Sequence, residues 1–146
     1  MKSTANALFL LVLFSACHHK VDQADIARIN GYWEIKKVVM PNGKEKEYGI
    51  NTSYDFFDIK ANKGLRKKVM PQLDGSFLEN NSSEAISVSF DKNGAWLNYS
   101  TPFSKWREEL YELSDSAMVV INEQKKEYHY KKAGAINIMG HGEKTK

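Results

Sequence analysis

The chain has 146 residues, a formal net charge of +3, 42% hydrophobic residues and a single cysteine. That length fits one domain able to bury roughly two-thirds of its surface on folding. The lone cysteine excludes an intramolecular disulfide, and a charge so close to neutral argues against nucleic-acid binding as the main role.

Residues 1–16 read as a leader. Lys2 gives a positive start, residues 7–14 are an unbroken apolar run, and Ser15-Ala16 places small residues before Cys17. A charged start, a short apolar core and a small-residue cleavage site make the layout of a secretory signal peptide. The run is far too short to span a bilayer, which takes about 20 residues. Phe14-Ser15-Ala16-Cys17 resembles the lipobox of bacterial lipoproteins, with Phe14 where Leu is more usual. The resemblance implies cleavage before Cys17, a diacylglyceryl group on its sulfur and a further acyl chain such as palmitate on the new amino terminus. At roughly 0.8 kcal/mol per buried methylene, such chains hold a protein to a membrane almost permanently. The implied location is the bacterial cell envelope, with the membrane as partner through the anchor. Loss of the leader removes one Lys and no acid, so the formal charge falls from +3 to +2.

Residues 17–30 read as a lipidated tether and a short helix over 24–29, capped by Asp22 and stopped by Asn30-Gly31. Everything after Gly31 reads as β. Short segments rich in β-branched and aromatic residues alternate with turn signals. The predicted strands are 32–40, 53–60, 65–70, 76–79, 85–90, 95–100, 105–113, 117–122 and 127–132. Asp74-Gly75 is a tight hairpin signal. Residues 133–146 form a tail, with 135–139 able to add a strand.

Side chains alternate faces along a strand. Trp33, Ile35 and Val39 share one face of the first strand, with Lys37 as an exception; Phe57 and Ile59, Met118 and Val120, and Tyr128 and Tyr130 share faces in theirs. One apolar and one polar face per strand fits an antiparallel sheet over a single core. Eight or nine such strands in one small domain leave exposed edges unless the sheet closes into a barrel.

Three stretches carry a resemblance. Gly31-Tyr32-Trp33 is a Gly-x-Trp start to the first strand. Residues 57–64, Phe-Asp-Ile-Lys-Ala-Asn-Lys-Gly, form a strand and turn, and 111–120 followed by Tyr128-His129-Tyr130-Lys131-Lys132 reads as a closing hairpin. In this order they resemble the lipocalin-like domains of bacterial lipoproteins, over about residues 26–132. The resemblance implies an all-β, antiparallel barrel of eight to nine strands over 31–132 with a short N-terminal helix. It implies that Gly31 and Trp33 close one end, with a cation from the chain end, Lys131 or its neighbour Lys132, in place of the usual Arg over Trp33. It also implies binding of a small apolar ligand, with Phe57, Ile59, Trp96, Trp106 and Tyr128 as lining candidates. The residues alone leave open whether the barrel holds a ligand or is filled by its own side chains. They also leave open an interaction module that docks another envelope protein on its outer surface.

No catalytic constellation is visible. His18, His19, His129 and His141 lack the convergent spacing of a metal site, and no phosphate loop, nucleophile elbow or second cysteine is present. Glu108 and Glu109 point to opposite faces, while Glu108 and Glu112 share a face about 13 Å apart. The expectation is therefore a non-enzyme with no cofactor and no metal. The basic runs Lys36-Lys37, Arg66-Lys67-Lys68 and Lys125-Lys126 split between faces and read as solvated. Trp96 and Trp106 are expected to pair across a hairpin centred near Thr101-Pro102.

Overall fold

A computed structural model of the chain describes residues 20–134. Cys17 and the possible strand at 135–139 lie outside the described residues. A 3-10 turn, Ile26–Ile29, precedes ten strands: β1 Gly31–Val39, β2 Glu45–Glu47, β3 Tyr54–Lys60, β4 Lys63–Pro71, β5 Phe77–Glu79, β6 Glu84–Phe90, β7 Ala95–Ser100, β8 Lys105–Leu113, β9 Ala117–Ile121 and β10 Glu127–Lys132. Eight of them run β1-β3-β4-β6-β7-β8-β9-β10, and β10 pairs back onto β1 to close an antiparallel barrel. The short β2 and β5 are outside this ring. β2 extends the edge of β1 beyond β3, and β5 extends the edge of β4 beyond β6. The expected short helix over 24–29 is a single 3-10 turn, and β2, with its alternating charges, is not visible in the hydrophobic pattern.

Turn chemistry sets the register. Ala61 and Asn62 both have positive φ, +48° and +63°, as a two-residue hairpin of matching twist requires. Counting outward from that turn pairs Ile59 with Gly64, Phe57 with Arg66 and Asp55 with Lys68. Position 64 must be glycine, since a Cβ there would lie 1.8 Å from the Asp58 carbonyl oxygen.

Two bulges break the alternation expected from the sequence. In β1 the register shifts between Ile35 and Lys37. Trp33, Ile35 and Val38 therefore share the inner face, and Val38 is buried where Val39 was expected. In β8 it shifts between Leu110 and Glu112. Leu110 and Leu113 both enter the core, so Glu112 turns outward and does not share a face with Glu108. A bulge inserts one unpaired residue and reverses the parity beyond it.

The interior is packed by Trp33, Phe57, Ile59, Ile86, Leu97, Leu110, Met118 and Val120 among others, with Val21, Ile26 and Ile29 laid across one end. A second apolar cluster lies on the outer wall. The β4–β5 hairpin curls over β3 so that Phe77 stacks on Tyr32 at 4.0 Å between ring centroids, Tyr32 meets Phe56 at 4.7 Å, and Val69 is fully buried. The outer faces of β1 and β3 are thus apolar here, because another part of the chain covers them.

Candidate functional site at the two ends of the barrel

One end is sealed. The loops at 61–62, 91–94 and 114–116 and the 3-10 turn lie there. Trp33 is fully buried, and its indole N–H donates to the Ile29 carbonyl at 2.7 Å. Asn30 ties the 3-10 turn to β3 in both directions: its amide donates to the Ile59 carbonyl at 3.0 Å, and its carbonyl accepts from the Ile59 N–H at 2.7 Å. Gly31 takes φ +113°, and a Cβ there would press on the Lys132 side chain at 3.2 Å.

The cation over the tryptophan is Lys132, not Lys131. The Lys132 ammonium lies 4.5 Å from the Trp33 ring centroid and donates to the carbonyls of Arg28 and Asn30 at 2.6 and 2.5 Å. Burial pulls its pKa below the ordinary 10.5. Lys131 points the other way and pairs with Glu34 at 3.2 Å. The reason is parity: Trp33 faces Lys132 across the ladder, and Glu34 faces Lys131.

At the other end lie the β2–β3 loop, the β4–β5 hairpin, the β7–β8 turn and the β9–β10 turn. The β2–β3 loop is pinned by Asn51, whose amide donates to Glu34 at 3.0 Å and to the Ile35 carbonyl at 2.8 Å. Beneath it is a cavity of about 290 Å³ lined by Ile35, Tyr48, Asn51, Asp55, Lys68 and Tyr130, with others from the loop. Across the mouth, Trp106 stacks on Tyr99 with centroids 5.1 Å apart, and Tyr128 and Tyr130 pack on the core while keeping partial exposure.

Of the proposed lining residues, Phe57 and Ile59 face inward but are buried deep in the packed core. Trp106 and Tyr128 face inward at the mouth. Trp96 does not share this wall. It alternates with the buried Ala95 and Leu97 and lies on the outer face, where the Arg107 guanidinium covers its ring at 4.0 Å. Nor does Trp96 pair with Trp106: it stands opposite Glu109, and Trp106 stands opposite Tyr99.

The inner wall also carries charges that the strand pattern alone did not single out. Arg66 faces inward with Phe57, forms an ion pair with Glu84 and lies 4.3 Å above the Tyr99 ring. Its Nη1 is 4.0 Å from Glu108 Oε2. Asp55 is buried and pairs with Lys68 at 2.7 Å. Burial works against the Arg66 charge, but Tyr99, Glu84 and Asp55 outweigh it and hold its pKa above the ordinary value. Burial raises Glu108 above 4.5, with Arg66 opposing, and raises the Tyr99 and Tyr130 hydroxyls well above 10.0. The signal for these residues was present in the sequence: Asp55 alternates with Phe57 and Ile59, and the Ala61-Asn62 turn brings Arg66 opposite Phe57.

The chain is similar to two solved structures and to one family model. The crystal structure of a lipocalin-like protein from Bacteroides uniformis is similar, with 13% identity, 73% of this chain and 99% of that chain covered and a TM-score of 0.48. An uncharacterized protein from Bacteroides eggerthii is similar at 14% identity, with 71% and 98% covered and a TM-score of 0.47. No curated protein sequence matches the chain. The family model of the lipocalin-like domain matches residues 29–120, the stretch from the Trp33 seal to β9, and the chain belongs to that family.

Proposed function

We propose that this chain is a lipid-anchored, non-catalytic binding protein of the bacterial cell envelope that takes one small, largely apolar or aromatic ligand through the open end of its barrel. The observation that carries the reading is the difference between the two ends. One is plugged by Trp33, Lys132 and the 3-10 turn, while the other keeps Trp106, Tyr128 and Tyr130 partly exposed above a packed core. Partly exposed aromatic faces are the usual lining of small-molecule sites.

The anchor is read from the lipobox resemblance at Cys17, and the fold gives it a geometry. Val21 packs into the sealed end, and four residue steps from Cys17 reach at most about 14 Å. The nine residues of β1 climb roughly 20–25 Å along a tilted barrel axis. A lipid on Cys17 therefore sets the sealed end towards the membrane and the mouth away from it.

Mass spectrometry of the natively expressed protein tests both parts. A reproducible small molecule in its organic extract and acyl chains on Cys17 are the expected results. An empty extract sinks the ligand. Normal processing and membrane retention of a Cys17→Ser variant sinks the anchor.

A second reading is favoured by the rim. Ile50, Leu73 and Phe103 are 96%, 88% and 95% exposed, each on a different connection at the open end, as an envelope protein docking over the mouth requires. A photocrosslinker at position 103 yields one discrete protein adduct in cells on this reading and none if the mouth stays free.

A further inference from the structure

The cavity of about 290 Å³ beneath the β2–β3 loop is lined by Ile35, Tyr48, Asn51, Lys68 and Tyr130 among others, and three of these side chains have hydrogen-bonding capacity to spare. The Tyr130 hydroxyl makes no hydrogen bond among the described residues and, unlike that of Tyr99, is not shut off from solvent. Burial holds its pKa well above 10.0, so it keeps its proton and can both donate and accept. Asn51 spends its amide hydrogens on two acceptors, Glu34 Oε1 and the Ile35 carbonyl. That fixes the orientation of the amide and leaves Asn51 Oδ1 without a donor among the described residues. The Lys68 ammonium lies 2.7 Å from Asp55 Oδ1, yet its side chain is 57% exposed, so N–H groups remain to donate.

We propose that this cavity is a subsite for a neutral, polyhydroxylated group, one pyranose ring of a glycoside, held by the Tyr130 hydroxyl, Asn51 Oδ1 and the Lys68 ammonium while the apolar or aromatic remainder of the ligand lies on Trp106 and Tyr128. The inference rests on the small-ligand reading above and names the polar end of that ligand.

Size and charge select the class. The cavity holds on the order of ten water-sized groups, the scale of one sugar ring. Lys68 is balanced by the buried Asp55, and Glu34 is met by Lys131, so a ligand there meets no net charge. An anion is drawn to Lys68 but faces the Asp55 carboxylate behind it and has nothing to donate to Asn51 Oδ1. An ammonium donates to Asn51 Oδ1 but is repelled by Lys68. A purely apolar group covers the Tyr130 hydroxyl and Asn51 Oδ1 without pairing them, at a cost of roughly tenfold in affinity for each. A hydroxyl donates and accepts from one atom, and a ring carrying several meets all three groups at once. Its C–H faces lie on Ile35 and the tyrosine rings.

The test is a matched trio of probes, phenyl β-D-glucoside, phenyl β-D-glucuronide and 2-phenoxyethanol. They share an aromatic end and differ in the other, which is a neutral sugar, the same sugar with a carboxylate, or a single hydroxyl on a short stem. Each is titrated into the purified protein and followed by calorimetry, by the Asn51 side-chain amide resonances for the cavity and by the Trp106 indole N–H resonance for the mouth. The glucoside is expected to bind at least about tenfold more tightly than 2-phenoxyethanol, and more tightly than the glucuronide, and to shift Asn51 as well as Trp106. Tyr130→Phe, shown folded by its thermal transition, is expected to weaken the glucoside about fivefold and to leave 2-phenoxyethanol unchanged. Equal affinity for glucoside and 2-phenoxyethanol, tighter binding of the glucuronide, or an unchanged glucoside affinity in Tyr130→Phe overturns the sugar subsite while leaving a barrel that binds aromatic molecules. Failure of all three probes to shift either reporter, with an empty native extract, overturns both readings.

Discussion

At the scale of single residues, two side chains one position apart have different fates. Lys132 covers Trp33 and caps two carbonyls, whereas Lys131 reaches from solvent to the buried Glu34, which Asn51 also holds. A cation–π contact with partial desolvation is worth about 1–2 kcal/mol, and an ion pair whose lysine stays in solvent and whose carboxylate keeps another hydrogen bond about 0–1 kcal/mol. Lys132→Met is therefore expected to lose about 1–3 kcal/mol in urea unfolding, and Lys131→Met less than about 1 kcal/mol. Glu108 has the opposite sign. Its folded pKa is raised by burial, so the folded state holds its proton where the unfolded state has released it. Stability is lost as pH rises from the ordinary 4.5 through the folded value, and the penalty is complete above it. Glu108→Gln is expected to melt higher than the parent at pH 7, with the difference shrinking towards pH 4.5 and below. A variant that melts lower at pH 7 would show that the carboxylate is paired.

At the scale of elements, hydrophobic periodicity located nine of the ten strands and missed the bulges. The face of a β residue depends on the parity of its distance from the last irregularity, and one inserted residue inverts it. In β1 this exchanges Val38 and Val39: Val38 enters the barrel beside Tyr128, and Val39 faces Glu45 and Glu127. The isosteric pair Val38→Thr and Val39→Thr separates the two. A buried unpaired hydroxyl costs about 1–3 kcal/mol, so Val38→Thr is expected to lower the denaturation midpoint clearly and Val39→Thr hardly at all. The reverse order would restore strict alternation. The β3–β4 hairpin needed no such correction, because both its turn and the glycine that follows were legible as residue types. Trp96 was misassigned for a related reason. Neighbouring aromatic residues suggest a pair, but the ladder between β7 and β8 sets Tyr99 opposite Trp106.

At the scale of the whole molecule, the barrel is polarised along its axis. The sealed half is apolar apart from Asp25 and Lys132, the open half holds Arg66, Asp55 and Glu108, and the most exposed apolar side chains among the described residues stand on the open rim. Ile50, Leu73 and Phe103 contribute little burial to the fold. Their joint replacement by Ser is expected to leave unfolding within about 0.5 kcal/mol per site. Any loss of partner binding in that variant then belongs to the rim and not to stability, as circular dichroism melting alongside the crosslinking assay will check. A large fall in melting temperature would mean that the rim packs on the barrel.

The amino-acid sequence alone determined the strand segments, the turn types, the Gly31-Tyr32-Trp33 start and hence an all-β barrel, because each rests on chemistry local to a few residues: alternation, β-branching and the conformations open to Asn and Gly. The tertiary structure decided which of two adjacent lysines covers the tryptophan, which valine enters the core and that Arg66, Asp55 and Glu108 meet inside. Those outcomes depend on the closure of β10 onto β1 and on two register shifts, and a position's face is set by its partner strand across the ladder. A charged residue four strands from its neighbour carries no local mark of that meeting.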